Sequence, residues 1–424
     1  MKIVIVANGS FFSSYGGGQV YVTNLVDALI DSGQEVSVIA YAGSAPSVAR
    51  KSYRGIDLFE FSSFGLKDEL KEIILQKAPD VIHIHSFKDF FCRIAVELNI
   101  PAVVTAHHGG IYCPDTMAMD NNDRKCIAEV SVKQCLSCML RFIPPGPKLW
   151  YPLMRWIPED KYIKLGEKMA RRKFILGVTP LACAASFIEN TRRKWRDIVA
   201  GCARIVAPCR DVATALENNG MPAEKIRVIP HGIPLPTIRP EFPEIHDGKL
   251  KFYCVGRICY VKGLHILLDA FHRVKNPDIE LHLVGGAERE NEKALMRKLQ
   301  KKYGSDSRIV WHGKVEPRQV FDLTKDFHIG VSASIYLEVF GLNIAESLAL
   351  GKPVLATRNG GAEIQIEDGV NGWLVPSNDV DALRAKIEEV VATPWPRLKE
   401  MSARCHAISI QDHCAALLRL YAEL

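Results

Sequence analysis

Two glutamates eight residues apart, Glu338 and Glu346, are the side chains of this sequence whose types and spacing best suit chemistry. Glu338 lies in a predicted loop with Phe340 and Gly341, and Glu346 lies about one turn inside a helix predicted over residues 342–350. The start of a helix presents backbone N–H groups and a positive dipole end to an anion, whereas carboxylates accept hydrogen bonds from hydroxyl groups. The pattern therefore predicts a site for a nucleotide sugar. Taken alone, either glutamate would be interpreted as an ordinary surface residue.

The segment E-V-F-G-L-N-I-A-E at residues 338–346 is followed by G-K-P-V at 351–354 and by N-G-G at 359–361, which we expect to lead into a further helical segment. This constellation resembles the signature of the retaining glycosyltransferases of family 4. The resemblance extends over nearly the whole chain and is strongest in its second half. It implies an α/β fold of the GT-B class, with two Rossmann-like domains facing each other across a cleft.

A second loop, after a strand predicted over residues 250–255, also matches this family. G-R-x-x-x-x-K-G at residues 256–263 follows the family pattern without a gap, so Gly256, Arg257 and Lys262 are expected at the donor. The two cations would neutralise the donor diphosphate and the charge that builds on it as it leaves. No metal would then be required for catalysis. Without the resemblance, both cations would be interpreted as solvated loop residues.

The resemblance also implies roles for the glutamates and for two stretches of backbone. Glu346 would bind the ribose hydroxyls, and Glu338 would bind a hydroxyl of the donor sugar. Backbone N–H groups would line the sugar and phosphates at Gly16, Gly17, Gly18, Phe340, Gly341, Leu342 and Asn343. No side chain stands out as a nucleophile, and the family is usually described by a front-face substitution in which the leaving phosphate takes the acceptor proton.

Strands and helices in alternation must position these residues. Residues 2–7 form a continuous apolar run, which predicts a parallel strand covered on both faces. A glycine-rich loop ending at residues 16–18 leads into a helix, and residues 36–40 form the next predicted strand. This βαβ unit leaves room for a phosphate at the helix start, although it is not the dinucleotide fingerprint G-x-G-x-x-G.

Histidines occur at the ends of two predicted parallel strands, where open α/β sheets bind ligands. His107 matches the histidine of the family pattern T-x-H-D and is expected to polarise or orient the reacting sugar. His108 stands where the family has aspartate, which is a departure at the acceptor contacts. His83 and His85 are expected to be half-buried strand residues and not ligands.

Four cysteines, Cys113, Cys126, Cys135 and Cys138, are spaced C-x12-C-x8-C-x2-C in a loop rich in Asp and Asn. A closing C-x2-C with two more cysteines nearby is the pattern of a tetrahedral zinc site with four thiolate ligands. Such a site has no open coordination position, so it would be structural and would staple an insertion predicted at residues 109–145. Free thiols, or a redox pair of Cys135 and Cys138, are the alternatives.

The chain has 424 residues, of which 48% are hydrophobic and 24% charged, so global disorder is excluded and two domains are favoured. The Pro-rich residues 233–249 lack periodicity and are the predicted linker. We expect an N-terminal Rossmann-like acceptor-binding domain at residues 1–235 and a C-terminal Rossmann-like nucleotide-sugar-binding domain at 236–400. A C-terminal helix at 401–424 is expected to cross back to the first domain.

A membrane span is excluded because no apolar run approaches about eighteen residues. Twelve cysteines and an N-terminus typical of a first strand, not of a signal peptide, favour a cytoplasmic location. The net charge of +6 includes a basic excess between residues 141 and 210, a stretch that also contains Trp150 and Trp156. Within it, residues 175–180 are expected to be strand-like. This stretch could contact an anionic membrane peripherally, or it could be an ordinary solvated helical face. No nucleic-acid-binding module is evident.

The activity implied by the resemblance is transfer of a hexose from a nucleotide-sugar donor, with UDP expected from family frequency. The acceptor would be a hydroxyl of a glycan, a glycolipid or another molecule, as in polysaccharide biosynthesis. A nucleotide-sugar epimerase of the same fold and a catalytically inactive GT-B binding protein are the alternatives. A phosphorylase would need a pyridoxal-binding lysine, which the sequence does not identify.

Overall fold

Two units of alternating strands and helices make up the chain in its computed structural model, which describes residues 1–9, 16–42, 46–143, 145–154, 156–170 and 179–424. The first unit comprises Met1–Asn122, Cys126–Ile229 and Cys414–Leu424, and the second comprises Asp123–Lys125 and Pro230–His413. The predicted domains instead end at residues 235 and 400.

The described strands of the first unit are β1 (Lys2–Asn8), β2 (Glu35–Tyr41), β3 (Ala49–Tyr53), β4 (Ile56–Phe61), β5 (Val81–Ile84), β6 (Ala102–Thr105), β7 (Arg204–Ala207) and β8 (Ile226–Val228). They form one sheet in the order β3-β4-β2-β1-β5-β6-β7-β8. Neighbours are parallel except β3 and β4, which form a hairpin. The interior residues of β1 are all buried, as expected for a parallel strand covered on both faces.

The described helices of the first unit are α1 (Gly17–Asp31), α2 (Lys67–Lys77), α3 (Lys88–Leu98), α4 (Val132–Met139), α5 (Pro145–Lys148), α6 (Tyr151–Met154), α7 (Glu159–Ala170), α8 (Thr179–Gly201) and α9 (Arg210–Asn218). Helix α1 buries Tyr21, Leu25 and Leu29 and packs on β1 and β2. The strand expected over residues 175–180 lies largely outside the described residues, and its last two residues begin α8.

The second unit has the described strands β9 (Leu250–Val255), β10 (Ile279–Val284), β11 (Ile309–Gly313), β12 (Ile329–Ser332), β13 (Val354–Thr357) and β14 (Gly372–Val375). They form a parallel sheet in the order β11-β10-β9-β12-β13-β14. Its described helices are α10 (Leu264–Arg273), α11 (Glu290–Tyr303), α12 (Pro317–Thr324), α13 (Leu342–Ala349), α14 (Val380–Ala392) and α15 (Trp395–Arg404).

The prediction of one helix over residues 401–424 is wrong, because α15 ends at Arg404 and α16 (Ile410–Tyr421) follows after a break. The backbone of the break pairs with the linker: Ile233 N donates to Ile408 O at 3.0 Å, and Ile410 N donates to Ile233 O at 2.8 Å. These bonds satisfy backbone groups that would otherwise continue a helix. Within the described part of the chain, no helix combines the length and apolarity that crossing a membrane requires.

Candidate functional site

Two loops of the second unit meet where the order of its sheet reverses. Strands β9 and β12 are neighbours, but the strands that follow them in sequence lie on opposite sides of the pair. Their loops therefore open at the carboxyl edge of the sheet, where open α/β proteins bind ligands. The loop after β9 carries Gly256, Arg257 and Lys262, and the loop after β12 carries Glu338. The topology thus brings together residues that are far apart in the sequence.

The backbone of Glu338 is tied to the turn that follows β13. Glu338 N donates to Asn359 O at 3.1 Å, and Gly361 N donates to Glu338 O at 2.7 Å. A Cβ at Gly361 would lie 2.5 Å from the carbonyl carbon of Phe340, so only glycine allows this close approach. Residues 361–365 form turns, and the helical segment predicted there is wrong. These contacts leave Glu338 only 7% exposed.

The Glu338 carboxylate accepts hydrogen bonds from three side chains. Lys262 Nζ lies 2.5 Å from Oε2, Ser334 Oγ lies 2.8 Å from the same oxygen, and Tyr336 OH lies 2.8 Å from Oε1. Burial by itself raises the pKa of Glu338, but the Lys262 charge and the three hydrogen bonds outweigh burial and hold the pKa below its ordinary value. The carboxylate is therefore ionised at neutral pH and held in one position.

Lys262 is placed by a short turn between β9 and α10. Gly263 follows it with φ of 67°, and a Cβ there would collide with the carbonyl oxygen of Ala333. The loop after β9 therefore rests directly on the loop after β12. Burial lowers the pKa of Lys262, but the neighbouring Glu338 and Tyr336 oxygens raise it by more, so the pKa lies above its ordinary value. Lys262 is thus a permanent cation.

Arg257 is the second cation of this loop, and its side chain is 46% exposed. Its Nε lies 3.5 Å from Oε1 of Glu292, which is buried at the start of α11. Glu292 also accepts from the backbone N–H groups of Glu288 and Arg289, at 3.0 and 3.2 Å. Each of the two predicted cations therefore faces a carboxylate, but Arg257 is held more loosely than Lys262.

A cavity opens beside these cations. Its lining includes four residues predicted at the donor, Gly256, Arg257, Lys262 and Asn343, and also Ser334. An adjoining cavity shares Val255 and Asn343 with it. Glu346 lines this second cavity together with apolar or aromatic side chains, among them Tyr253, Val320, Phe321 and Leu350. One end of the combined space is therefore cationic, and the other end is apolar with a single carboxylate.

Glu346 projects from α13 and is exposed to solvent. Desolvation by the surrounding protein raises the pKa of its carboxyl group to about 7. A carboxylate at the rim of an apolar cavity can accept hydrogen bonds from a ligand's hydroxyl groups.

Three predicted donor residues, Phe340, Gly341 and Leu342, form the turn into α13 but do not line either of these two cavities. Gly341 caps the helix with φ of 81°. Phe340 is 2% exposed, and its ring packs edge-on against His231 with the centroids 5.4 Å apart. These three residues shape the loop, and contact of their N–H groups with a ligand stays a prediction.

Sequence reasoning missed Ser334 and Tyr336, which hold Glu338. The three residues alternate along the chain, and alternate residues of an extended segment point to the same side, so the spacing was an available signal. It also missed Val320 and Phe321 of α12. Those two residues are chemically inert, and only the tertiary packing places them beside Glu346.

In the first unit, Gly16, Gly18 and His107 line a pocket at the carboxyl edge of the sheet, together with Asn8 and His85. Gly17, which begins α1, is not among the described residues that line it. His107 Nε2 lies 2.7 Å from His85 Nδ1. His85 was expected to be a half-buried strand residue and not a ligand, but it is 3% exposed and lines this pocket.

The four cysteines of the predicted zinc site line one cavity of the first unit, with Cys135 and Cys138 one turn apart on α4. All of them are free thiols in this structure. Among the described residues, no group of three or more Cys, His, Asp or Glu side chains is placed so that it could hold a metal ion. The structure therefore gathers the thiols around one space without assembling a metal centre, and zinc binding stays a prediction.

Two protein-family models match the chain. The model described as "Glycosyl transferases group 1" matches residues 238–408, and the model described as "Glycosyltransferase Family 4" matches residues 15–156. Together they cover more than half of the chain. The matched ranges include all the donor-site residues and cysteines discussed above.

Curated relatives match over shorter stretches. D-inositol 3-phosphate glycosyltransferase of Nocardiopsis dassonvillei is 28% identical over 244 residues, which cover 52% of this chain and 56% of that protein. Alpha-monoglucosyldiacylglycerol synthase of Streptococcus pneumoniae is 29% identical over 222 residues, covering 49% of each chain. The chain thus spans about half the length of the curated relatives it matches.

Solved structures match over the full length. HepE of Anabaena, crystallised in complex with UDP, has a TM-score of 0.69 at 15% identity, with 100% of both chains covered. Sucrose-phosphate synthase of Thermosynechococcus elongatus has a TM-score of 0.67 at 17% identity, covering 99% of this chain and 98% of that one. At these identities the likeness concerns the fold alone.

Proposed function

This chain belongs to glycosyltransferase family 4 and has the GT-B fold, and we propose that it transfers a sugar from a nucleotide-sugar donor to an acceptor hydroxyl with retention of anomeric configuration. The family predicted from residues 338–346 and the predicted α/β fold class are both confirmed. The observation that carries the proposed reaction is that Arg257, Lys262 and Glu346 line two adjoining cavities, while Glu338 is hydrogen-bonded to Lys262.

The shape and charge of those cavities support a nucleoside diphosphate sugar as donor. The cavity lined by Arg257 and Lys262 suits a diphosphate, because two cations offset its charge. The neighbouring apolar cavity suits a base and ribose, with Glu346 accepting from the ribose hydroxyls. We propose UDP as the nucleotide, in keeping with HepE of Anabaena, which was crystallised with UDP and with UDP-glucose.

In the proposed reaction the bond between the sugar's anomeric carbon and the phosphate oxygen breaks, and a bond to the acceptor oxygen forms on the same face. The acceptor proton moves to the departing phosphate oxygen, so atoms and charge balance. Lys262 and Arg257 would stabilise the departing diphosphate, while Glu338, held by Ser334 and Tyr336, would orient a sugar hydroxyl. Because these two cations offset the charge of the leaving diphosphate, the proposal includes no catalytic metal.

We propose a glycan or a lipid-linked glycan as acceptor. The support comes from the names of three relatives: D-inositol 3-phosphate glycosyltransferase, a putative colanic acid biosynthesis glycosyltransferase and alpha-monoglucosyldiacylglycerol synthase. A cytoplasmic location with peripheral membrane contact is part of the proposal. It is supported by the exposed apolar residues Leu149, Leu153 and Trp156 in a stretch rich in lysine and arginine.

The test is a nucleotide-release assay with UDP-glucose and related donors, with and without a panel of sugar and glycolipid acceptors. We expect UDP release that depends on acceptor, a product with the donor's anomeric configuration by NMR, and severe loss of turnover in Arg257→Ala and Glu338→Ala. An epimerase would interconvert the donor sugar without acceptor, and an inactive binding protein would do neither. Turnover in either variant equal to that of the wild type would contradict the proposed roles.

A further inference from the structure

Two histidines of the first unit meet at the ends of neighbouring strands. Strands β5 and β6 are parallel, with Ile84 opposite Val104, and His85 directly follows β5. His107 follows β6 after Ala106, so both imidazoles emerge at the same edge of the sheet, within the pocket that also includes Gly16 and Gly18. The contact is therefore a product of strand pairing between two segments remote in sequence.

The contact is a direct hydrogen bond. His85 Nδ1 and His107 Nε2 are 2.7 Å apart. In such a pair one nitrogen donates and the other accepts, so the position of the proton on one ring determines its position on the other. The ring of Tyr21, 1% exposed, packs edge-on against both, with centroid distances of 5.9 Å to His85 and 5.1 Å to His107.

The backbone of His85 is held on both sides. Its N–H donates to Val6 O of β1 at 2.9 Å, and its carbonyl accepts from the buried Lys88 Nζ at 2.7 Å. With its side chain 3% exposed, His85 is a rigid support, whereas its partner His107 is only partly buried. Rigid support next to a partly exposed ring is the arrangement expected of a group that orients a functional residue.

We propose that His85 is a positioning residue, which fixes the ring orientation and the tautomer of His107. The inference rests on the proposed function, because it requires His107 to act on the reacting sugar. Nε2 of His107 is engaged by His85, so the position of the proton in that bond determines whether Nδ1 of the neutral His107 ring carries a hydrogen or a lone pair.

His83 provides a matched control two residues away. It is fully buried, and its ring bonds to Thr105 Oγ1 at 2.7 Å and to Tyr421 OH at 2.6 Å, not to His107. Its ring also packs against that of His85, with the centroids 4.1 Å apart. Leucine keeps an apolar side chain at that contact, so His83→Leu removes an imidazole two residues away while both partners of the His85–His107 hydrogen bond remain. We expect His83→Leu to lower the melting temperature and leave kcat within about twofold of wild type.

The test compares His85→Leu with His85→Asn, whose amide places a donor and an acceptor near the position of imidazole Nδ1. We expect His85→Leu to lower kcat by about tenfold to a hundredfold with the donor KM little changed, because a misplaced group costs on that order. His85→Asn should recover most of the loss. Wild-type kcat in His85→Leu, together with an inactive His107→Ala, would overturn the inference and leave the proposed function standing.

A readout independent of turnover is the tautomer of His107, measured by long-range ¹H–¹⁵N correlation on protein labelled at histidine. We expect a single tautomer in the wild type, restored in His85→Asn and altered in His85→Leu. An identical His107 spectrum in wild type and His85→Leu would overturn the inference whatever the activity. Failure of the proposed function would look different, since transfer would then be absent from the wild type or unaffected in His107→Ala.

Discussion

Lys262 Nζ and Glu338 Oε2 lie 2.5 Å apart, so the cation proposed to bind the donor phosphates is ion-paired with the carboxylate proposed to bind the donor sugar. Each group offsets the charge of the other before any ligand arrives. A phosphate that approaches Lys262 competes with Glu338 for the ammonium and leaves the carboxylate better able to accept a sugar hydroxyl. The pair thereby couples recognition of the two halves of the proposed donor.

This coupling predicts an effect on stability. We expect Lys262→Met to lower the free energy of unfolding by about 2 kcal/mol, because Glu338 would remain buried without its charge partner. The loss stays moderate because 31% of the Lys262 side chain is exposed. Urea unfolding at pH 7 measures it. The double variant Lys262→Met/Glu338→Gln should regain most of the loss, and simple addition of the two single effects would contradict the coupling.

A second prediction concerns the contribution of Glu338 to the free energy of unfolding at acid pH. The pKa of Glu338 is lowered in the folded protein, so the unfolded state takes up the proton first as the pH falls. Its contribution is therefore fully present above the unfolded value of about 4.3 and is lost as the pH falls through the folded pKa. The difference in unfolding free energy between wild type and Glu338→Gln should be constant from pH 7 to about pH 5 and shrink below. A constant difference down to pH 3 would contradict the low pKa.

Nucleotide binding is expected to depend on Glu346. A ligand at a hundredfold its Kd adds about 2.7 kcal/mol of stability, so a thermal shift with UDP, GDP or ADP should identify the nucleotide. We expect Glu346→Ala to abolish that shift and to leave the ligand-free melting temperature unchanged, because the residue is exposed on α13. Glu388→Ala, an exposed glutamate of α14, is the matched control. A nucleotide-induced shift in Glu346→Ala equal to that of the wild type would contradict the proposed role of Glu346 in binding the ribose.

Motifs and strands could be predicted from the sequence, whereas most contacts between side chains remote in sequence could not. Glu338 and Glu346 were placed in a loop and a helix from local pattern alone, because capping and glycine signals are local. The bond between His85 and His107 depends on the pairing of β5 with β6, and the contact of Glu338 with Lys262 depends on the neighbouring positions of β9 and β12. Such contacts arise from tertiary structure and carry no short-range signature.

Helix boundaries were wrong for a related reason. Residues 405–409 have no strong helix breaker, yet they are extended because their backbone pairs with Ile233, which is remote in sequence. At Gly361, likewise, the backbone N–H donates to Glu338 O, and a turn forms in place of the predicted helix. In both places a backbone partner supplied by the tertiary fold outweighed local propensity.

The cysteine cluster is predicted to bind one structural zinc ion. Four thiols line one cavity, and closing them around a tetrahedral ion requires their side chains to turn inward. Metal analysis of protein purified without added metal should give about one zinc per chain. Cys138→Ser should lower that content and the melting temperature, whereas Cys183→Ser on α8 should change neither. Less than about half an equivalent in the wild type would refute the prediction in favour of free or redox-active thiols.

Membrane contact is expected around α5 and α6. Leu149 is 80% exposed, Leu153 57% and Trp156 88%, and such side chains next to basic residues suit the interface of an anionic bilayer. We expect flotation with vesicles containing anionic lipid at low salt, weaker flotation at high salt, and a marked loss in Leu153→Ser/Trp156→Ser. Zwitterionic vesicles are the control. Failure to float with anionic vesicles at low salt would rule out this contact.

The close approach at Gly263 bears on how the sequence of this protein could diverge. Any side chain at that position meets the Ala333 carbonyl oxygen, so the loop that carries Lys262 tolerates little change in sequence. Helix α12, by contrast, borders the cavity beside Glu346 with Val320 and Phe321, and Phe321 is 41% exposed. Substitutions there can reshape the cavity at small cost in stability. New nucleotide preferences would therefore arise by drift on α12, and random libraries aimed at altered donors belong there.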